Sequence, residues 1–156
     1  MGEIYIYSDP IKSGKTTKLM QWAASQKNID GIFQPVIEGK RFLFHISSRT
    51  LKTLENDTGD DLLTIGQYKF SNQAFVWAQD KLTSAINSSI EWLIIDEIGP
   101  LELDGKGLEP AITKILKSKE SNNIKIIFVV RLKLLSQVLL HYNIGNGYKK
   151  FKVAQK

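Results

Sequence analysis

The chain has 156 residues, of which 42% are hydrophobic and 24% charged, with no cysteine and a formal net charge of +5. That length is enough for one domain with a buried core, so residues 1–156 are read as a single domain. Disulfides, thiolate catalysis and cysteine-ligated metals are excluded, and no run approaches the roughly 20 apolar residues of a membrane span.

Ile4, Tyr5, Ile6 and Tyr7 read as a central strand, apolar on both faces as a parallel strand should be. Asp9-Pro10-Ile11-Lys12-Ser13 is turn-rich and runs into Gly14-Lys15-Thr16-Thr17. Leu19, Met20, Ala23 and Ala24 then mark one helical face, with Trp22 on its edge. Gly31 to Ser48 reads as two strands, Ile32–Ile37 and one holding Phe42, Phe44 and Ile46, joined by a turn at Glu38-Gly39-Lys40. Pro35 suits an edge position, so this hairpin is expected as an antiparallel addition to the sheet. Thr50 to Asp61 is polar and reads as a loop; Leu63 to Phe70 reads as one short strand. Phe75, Ala78, Leu82, Ala85 and Ile86 recur at helical spacing, with Ser71 or Asn72 as the cap.

Ile90 to Glu97 is a continuous apolar run that ends in two acids. Leu108, Ala111, Ile112, Ile115 and Leu116 form a helical stripe, Ile124 to Val130 a buried strand, and Leu132, Leu135, Val138 and Leu139 a last helix. Tyr148 to Val153 reads as a final edge strand. Strands alternating with helices predict an α/β fold with a mostly parallel sheet.

Strand, turn-rich segment and helix, in that order, form a phosphate loop when the segment reads Gly, four residues, then Gly-Lys-Ser/Thr. Gly14, Lys15 and Thr16 meet the last three positions, and Asp9 stands at the first. The chemistry requires backbone N–H groups curled around phosphate oxygens and a helix N-terminus aimed at them. Lys15 would reach the β- and γ-phosphates, and Thr16 would offer a hydroxyl to Mg²⁺. Asp9 adds negative charge beside the phosphates.

Asp96 and Glu97 close an apolar strand at its carboxyl end, where open α/β sheets bind ligands. In phosphate-loop proteins such an Asp helps hold Mg²⁺, and an adjacent Glu can orient the attacking water. Elsewhere the readings are plainer. His45 and His141 read as surface or half-buried side chains, and without a second clustered ligand they do not predict zinc. Arg131 reads as a helix-start residue facing water, with approach to the γ-phosphate as the alternative. The C-terminal Lys149, Lys150, Lys152 and Lys156 read as a solvated basic tail, with polyphosphate or nucleic acid binding as the alternative. The solvated tail is favoured because no aromatic-interleaved basic stripe is read beside it.

Ile95-Asp96-Glu97-Ile98-Gly99-Pro100-Leu101-Glu102-Leu103 closely resembles the signature of the THEP1-type nucleoside-triphosphatases. Gly31-Ile32-Phe33, Ile65-Gly66-Gln67-Tyr68 and Gly14-Lys15-Thr16-Thr17 agree in order, so the resemblance covers about residues 3 to 130. It implies a three-layer P-loop NTPase of RecA-like fold, and Mg²⁺-dependent hydrolysis of ATP, GTP or other nucleoside triphosphates with broad base selectivity. It implies Lys15 and Glu97 as catalytic residues and Thr16 and Asp96 on the metal. The nucleotide would lie against residues 9 to 17 and Asp96, Glu97, Ile98, Gly99 and Glu102. The departures are Asp9 and Lys12, where the family has Gly. They keep open a nucleotide-binding module with weak or lost hydrolysis; a small kinase ranks below that, since no Arg-rich lid is visible. The N-terminus carries no signal pattern, which makes a cytoplasmic location the default expectation.

Overall fold

The computed structural model describes residues 2–8, 14–56, 58–59, 61–118 and 122–153. Five parallel strands build the centre of the sheet: β1 (Glu3–Tyr7), β2 (Ile29–Phe33), β8 (Trp92–Ile98), β9 (Lys125–Val130) and the two-residue β10 (Lys149–Lys150). Their spatial order is β10-β1-β9-β8-β2, so β9 stands between the strand that enters the phosphate loop and the strand that ends in the acids. Two further strands, β3 (Val36–Ile37) and β5 (Thr50–Thr53), flank β4 (Lys40–His45), which extends the sheet antiparallel to β2. The expected mostly parallel α/β sheet with an antiparallel addition is therefore present.

Side-chain alternation along the strands sorts the core into two layers. Ile4, Ile6, Leu93, Ile95, Ile126, Phe128 and Val130 face α2 (Asn72–Ala85), α4 (Ala111–Ser118) and α5 (Leu135–His141). Tyr7, Ile94, Ile127 and Val129 face α1 (Lys15–Ala24), which contributes Leu19 and Ala23. The short α3 (Pro100–Leu103) follows β8 directly. Ser71 caps α2 as expected, its hydroxyl accepting from the Ala74 N–H at 3.2 Å.

Four local readings are corrected. Ile32–Ile37 is not one strand: Gln34 and Pro35 separate β2 from β3, because a proline cannot donate to the ladder, although the Pro35 carbonyl still accepts from Phe42 N–H at 2.9 Å. The segment Thr50 to Asp61 begins with a strand, β5, paired along β4. Leu63–Phe70 folds back on itself at Gly66-Gln67 into a separate hairpin, β6 (Leu62–Ile65) with β7 (Tyr68–Ser71). His45 is buried rather than half-exposed, with Nε2 3.1 Å from Asp30 Oδ1 and Nδ1 2.6 Å from Ser48 Oγ.

Candidate active site

β1 ends at Tyr7 and α1 begins at Lys15, with Gly14 as its N-cap in the left-handed region at φ 77. No side chain caps this helix start. The first N–H groups of a helix have no intrahelical acceptor, so the start of α1 is suited to an anion.

Asp96 reaches this helix through strand periodicity. Trp92, Ile94 and Asp96 lie on the α1 face of β8, two residues apart. The Thr16 hydroxyl donates to Asp96 Oδ2 at 2.9 Å across a sequence separation of 80. Gln34 N–H donates to the same oxygen at 3.1 Å, and Asp96 is 1% exposed. A hydroxyl and a carboxylate, both hard oxygen donors, suit Mg²⁺, which takes one or two protein ligands and completes its shell with water and phosphate. No group of three or more His, Cys, Asp or Glu that could hold a metal exists among the described residues.

Glu97 is re-aimed by a bulge. Asp96 pairs with Val129 and Ile98 with Val130, so Glu97 is the extra residue of β8. Its Oε1 accepts from Arg131 Nε at 3.1 Å, and both side chains are largely buried. Arg131 therefore turns inward at the end of β9 and does not face water as the sequence suggested. Glu97 and Arg131 line one cavity of about 730 Å³ with Gly14, Thr16 and Thr17. Gln34 and Arg41 stand in its wall, joined by a bond from Arg41 Nη1 to Gln34 Oε1 at 3.2 Å. Nothing in the spacing of the sequence pointed to these two.

The acid-rich loop after β8 divides. Gly99 and Glu102 line the cavity, whereas Ile98 is fully buried in the core. Glu102 is 3% exposed, and its oxygens accept from Gly99 N–H at 2.8 Å and Leu108 N–H at 2.9 Å. Burial pushes its carboxyl up to about 7 against the pull of those two N–H groups and of its own backbone N–H, and the nearby Glu97 charge adds to the rise. Glu102 thus ties the start of α3 at Gly99 to Leu108 in the segment that follows it. Asp9, Pro10, Ile11, Lys12, Ser13 and the Lys15 side chain lie outside the described residues; the Lys15 backbone opens α1.

A family model described as NTPase matches residues 4–156. No curated protein matches the chain. Among solved structures, THEP1 from the hyperthermophile Aquifex aeolicus is similar, with a TM-score of 0.70 at 17% identity over 99% of this chain and 90% of that one. A human cancer-related nucleoside triphosphatase is similar at a TM-score of 0.69 and 20% identity, over the same shares of each chain. At these identities both are likenesses of fold.

Proposed function

Because the chain belongs to the NTPase family, whose model spans residues 4–156, we propose that it hydrolyses nucleoside 5′-triphosphates to the diphosphate and phosphate, with Mg²⁺ and with broad base selectivity. The observation that carries this reading is the contact of Thr16 with Asp96 beside Glu97 and Arg131, at the start of α1. Thr16 and Asp96 would hold Mg²⁺, which supplies neutralisation of the charge shared by the β- and γ-phosphates.

The chain's own groups supply the rest. The first turn of α1 and Lys15 hold the phosphates and stabilise charge that builds on the γ-phosphoryl oxygens. Glu97 orients the attacking water: Arg131 engages Oε1, and Oε2 accepts no hydrogen bond from the described residues. Arg131 fixes that carboxylate and brings a permanent positive charge to the γ-phosphate end of the cavity. Water attacks phosphorus in line, the bridging oxygen leaves with the diphosphate, and the water's proton passes toward Glu97.

Phosphate release from a panel of nucleoside triphosphates, with and without Mg²⁺, tests the reading. Glu97→Gln is expected to keep nucleotide binding and to lose turnover by about 10²-fold or more; hydrolysis at the parent rate would remove Glu97 from this role. Asp9 and Lys12 favour a second reading, a nucleotide-binding module without turnover. Binding by calorimetry with no phosphate released would select it.

A further inference from the structure

The basic C-terminal segment meets an aromatic cluster in three dimensions. Phe151 packs edge-on against Trp22 of α1, with ring centres 4.8 Å apart, and Trp22 packs against Trp92 at 5.2 Å. Tyr5 and Tyr7 complete the cluster. One helix, α1, covers this side of the sheet, so the rings that extend the cover are only partly buried.

The lysines around the cluster fall into two groups. Lys125 pairs with Glu91 at 3.3 Å and lies 5.0 Å over Trp92; Lys149 pairs with Glu3 at 2.7 Å and lies 5.8 Å over Tyr5. Those two charges and ring faces are taken. Lys18, Lys150 and Lys152 are exposed and make no ion pair among the described residues. They line a groove of about 1090 Å³ together with Trp22 and Phe151, over which no described cation lies. Among the described residues no acid lines it, and none that lines it also lines the catalytic cavity.

We infer that this groove binds single-stranded nucleic acid, with phosphates on Lys18, Lys150 and Lys152 and bases stacked on Trp22 and Phe151. A basic groove that tracks the backbone, with aromatic faces for the bases, is the chemistry of sequence-tolerant single-strand binding. Unpaired lysines favour a polyanion over a second copy of this cationic chain. The aromatic pair distinguishes a strand with free bases from a duplex, whose bases are stacked already.

Fluorescence anisotropy of a labelled single-stranded oligouridylate, titrated with the full chain, tests this. Three phosphate contacts predict a slope of log affinity on log salt near −2, which is about a 20-fold loss between about 50 and 200 mM salt. Lys150→Gln with Lys152→Gln should reduce that slope by about 1.4. Trp22→Leu and Phe151→Leu keep an apolar side chain and remove the ring face; with folding checked by circular dichroism, each should weaken binding about tenfold. Absent binding at the lower salt overturns the inference. So does undiminished binding by the two leucine variants, which would mean attraction of any polyanion, and so does equal affinity for the matching duplex. Displacement of the strand by a saturating non-hydrolysable triphosphate with Mg²⁺ would assign the groove to the nucleotide's base and overturn the inference as well. Retention of the strand under those conditions supports it, whether or not the chain hydrolyses the triphosphate.

Discussion

Glu102 carries a carboxyl whose protonation links the acid-rich loop to the stability of the whole chain. Its folded value near 7 lies above the ordinary 4.5, because burial outweighs three backbone N–H donors. The folded chain therefore holds a proton that the unfolded chain releases, and stability falls as pH rises between those values. The full contribution is present below about pH 4.5 and is gone above about pH 7, a loss on the order of 3 kcal/mol. Glu102→Gln cannot titrate and should remove this pH dependence. It should also cost about 1–3 kcal/mol where the parent is protonated, since its amide turns a donor toward a backbone N–H. Urea midpoints between about pH 5 and pH 8 decide it; an equal pH slope in the variant would assign the titration to another group. A second residue, Asp9, is argued from charge alone. A carboxylate about 6 Å from several phosphate charges repels them by a few kcal/mol at an effective dielectric near 20. An inward-turned Lys12 would offset part of this, and Asp9→Gly is expected to tighten nucleotide binding about tenfold, near 1.4 kcal/mol. Calorimetry at low and high salt reads the effect, and unchanged affinity at both would mean that Asp9 is no handicap.

At the scale of elements, the pairing of β2 with β8 sets how Gln34 N–H meets Asp96, and Gly31 permits that pairing. Gly31 sits opposite Ile94 at φ 141, and a side-chain carbon there would overlap the Ile94 carbonyl and come 2.6 Å from its nitrogen. The obstacle is backbone and cannot swing away, so Gly31→Ala should destabilise by about 3 kcal/mol or more, read from chemical unfolding. A midpoint equal to the parent's would refute this strand contact. The elements most legible in the sequence were β8 and β9, because Leu93–Ile95 and Ile126–Val130 are buried on both faces and appear as unbroken apolar runs. Thr16, Asp96 and Glu97 were legible as chemistry at the ends of elements. Three features were not legible, two for reasons of range and one because a tight turn interrupts an apolar run. Arg131 meets Glu97 across 34 residues, and His45 meets Asp30 across neighbouring strands, so no local spacing encodes either pair. In Leu63–Phe70, the fold at Gly66-Gln67 leaves short apolar stretches on both sides that mimic one strand.

For the molecule as a whole, α1 covers one sheet face and is the proposed seat of the phosphates, so ligand binding should register as global stability. Three helices cover the opposite face, whereas Leu19 and Ala23 of α1 and partly buried aromatic rings cover this one. A ligand that binds only the folded chain at about 100 times its Kd adds about 2.7 kcal/mol. For a chain of this size that is a rise in Tm of about 5–10 °C. Part of the rise should need Mg²⁺, because the Thr16 hydroxyl and the Asp96 carboxylate, 2.9 Å apart, are the proposed oxygen ligands. Thr16→Ser keeps the hydroxyl and should retain the Mg²⁺-dependent increment. Thr16→Val keeps the shape, loses the hydroxyl and should retain only the increment from nucleotide alone. The comparison is between shifts and not absolute midpoints, since Val also removes the hydrogen bond to a buried carboxylate and lowers the unliganded Tm. Thermal unfolding of the three chains with nucleotide, in Mg²⁺ and in chelator, gives the answer. An Mg²⁺ increment in Thr16→Val as large as the parent's would place the metal elsewhere and leave the Thr16–Asp96 contact as a brace between α1 and β8.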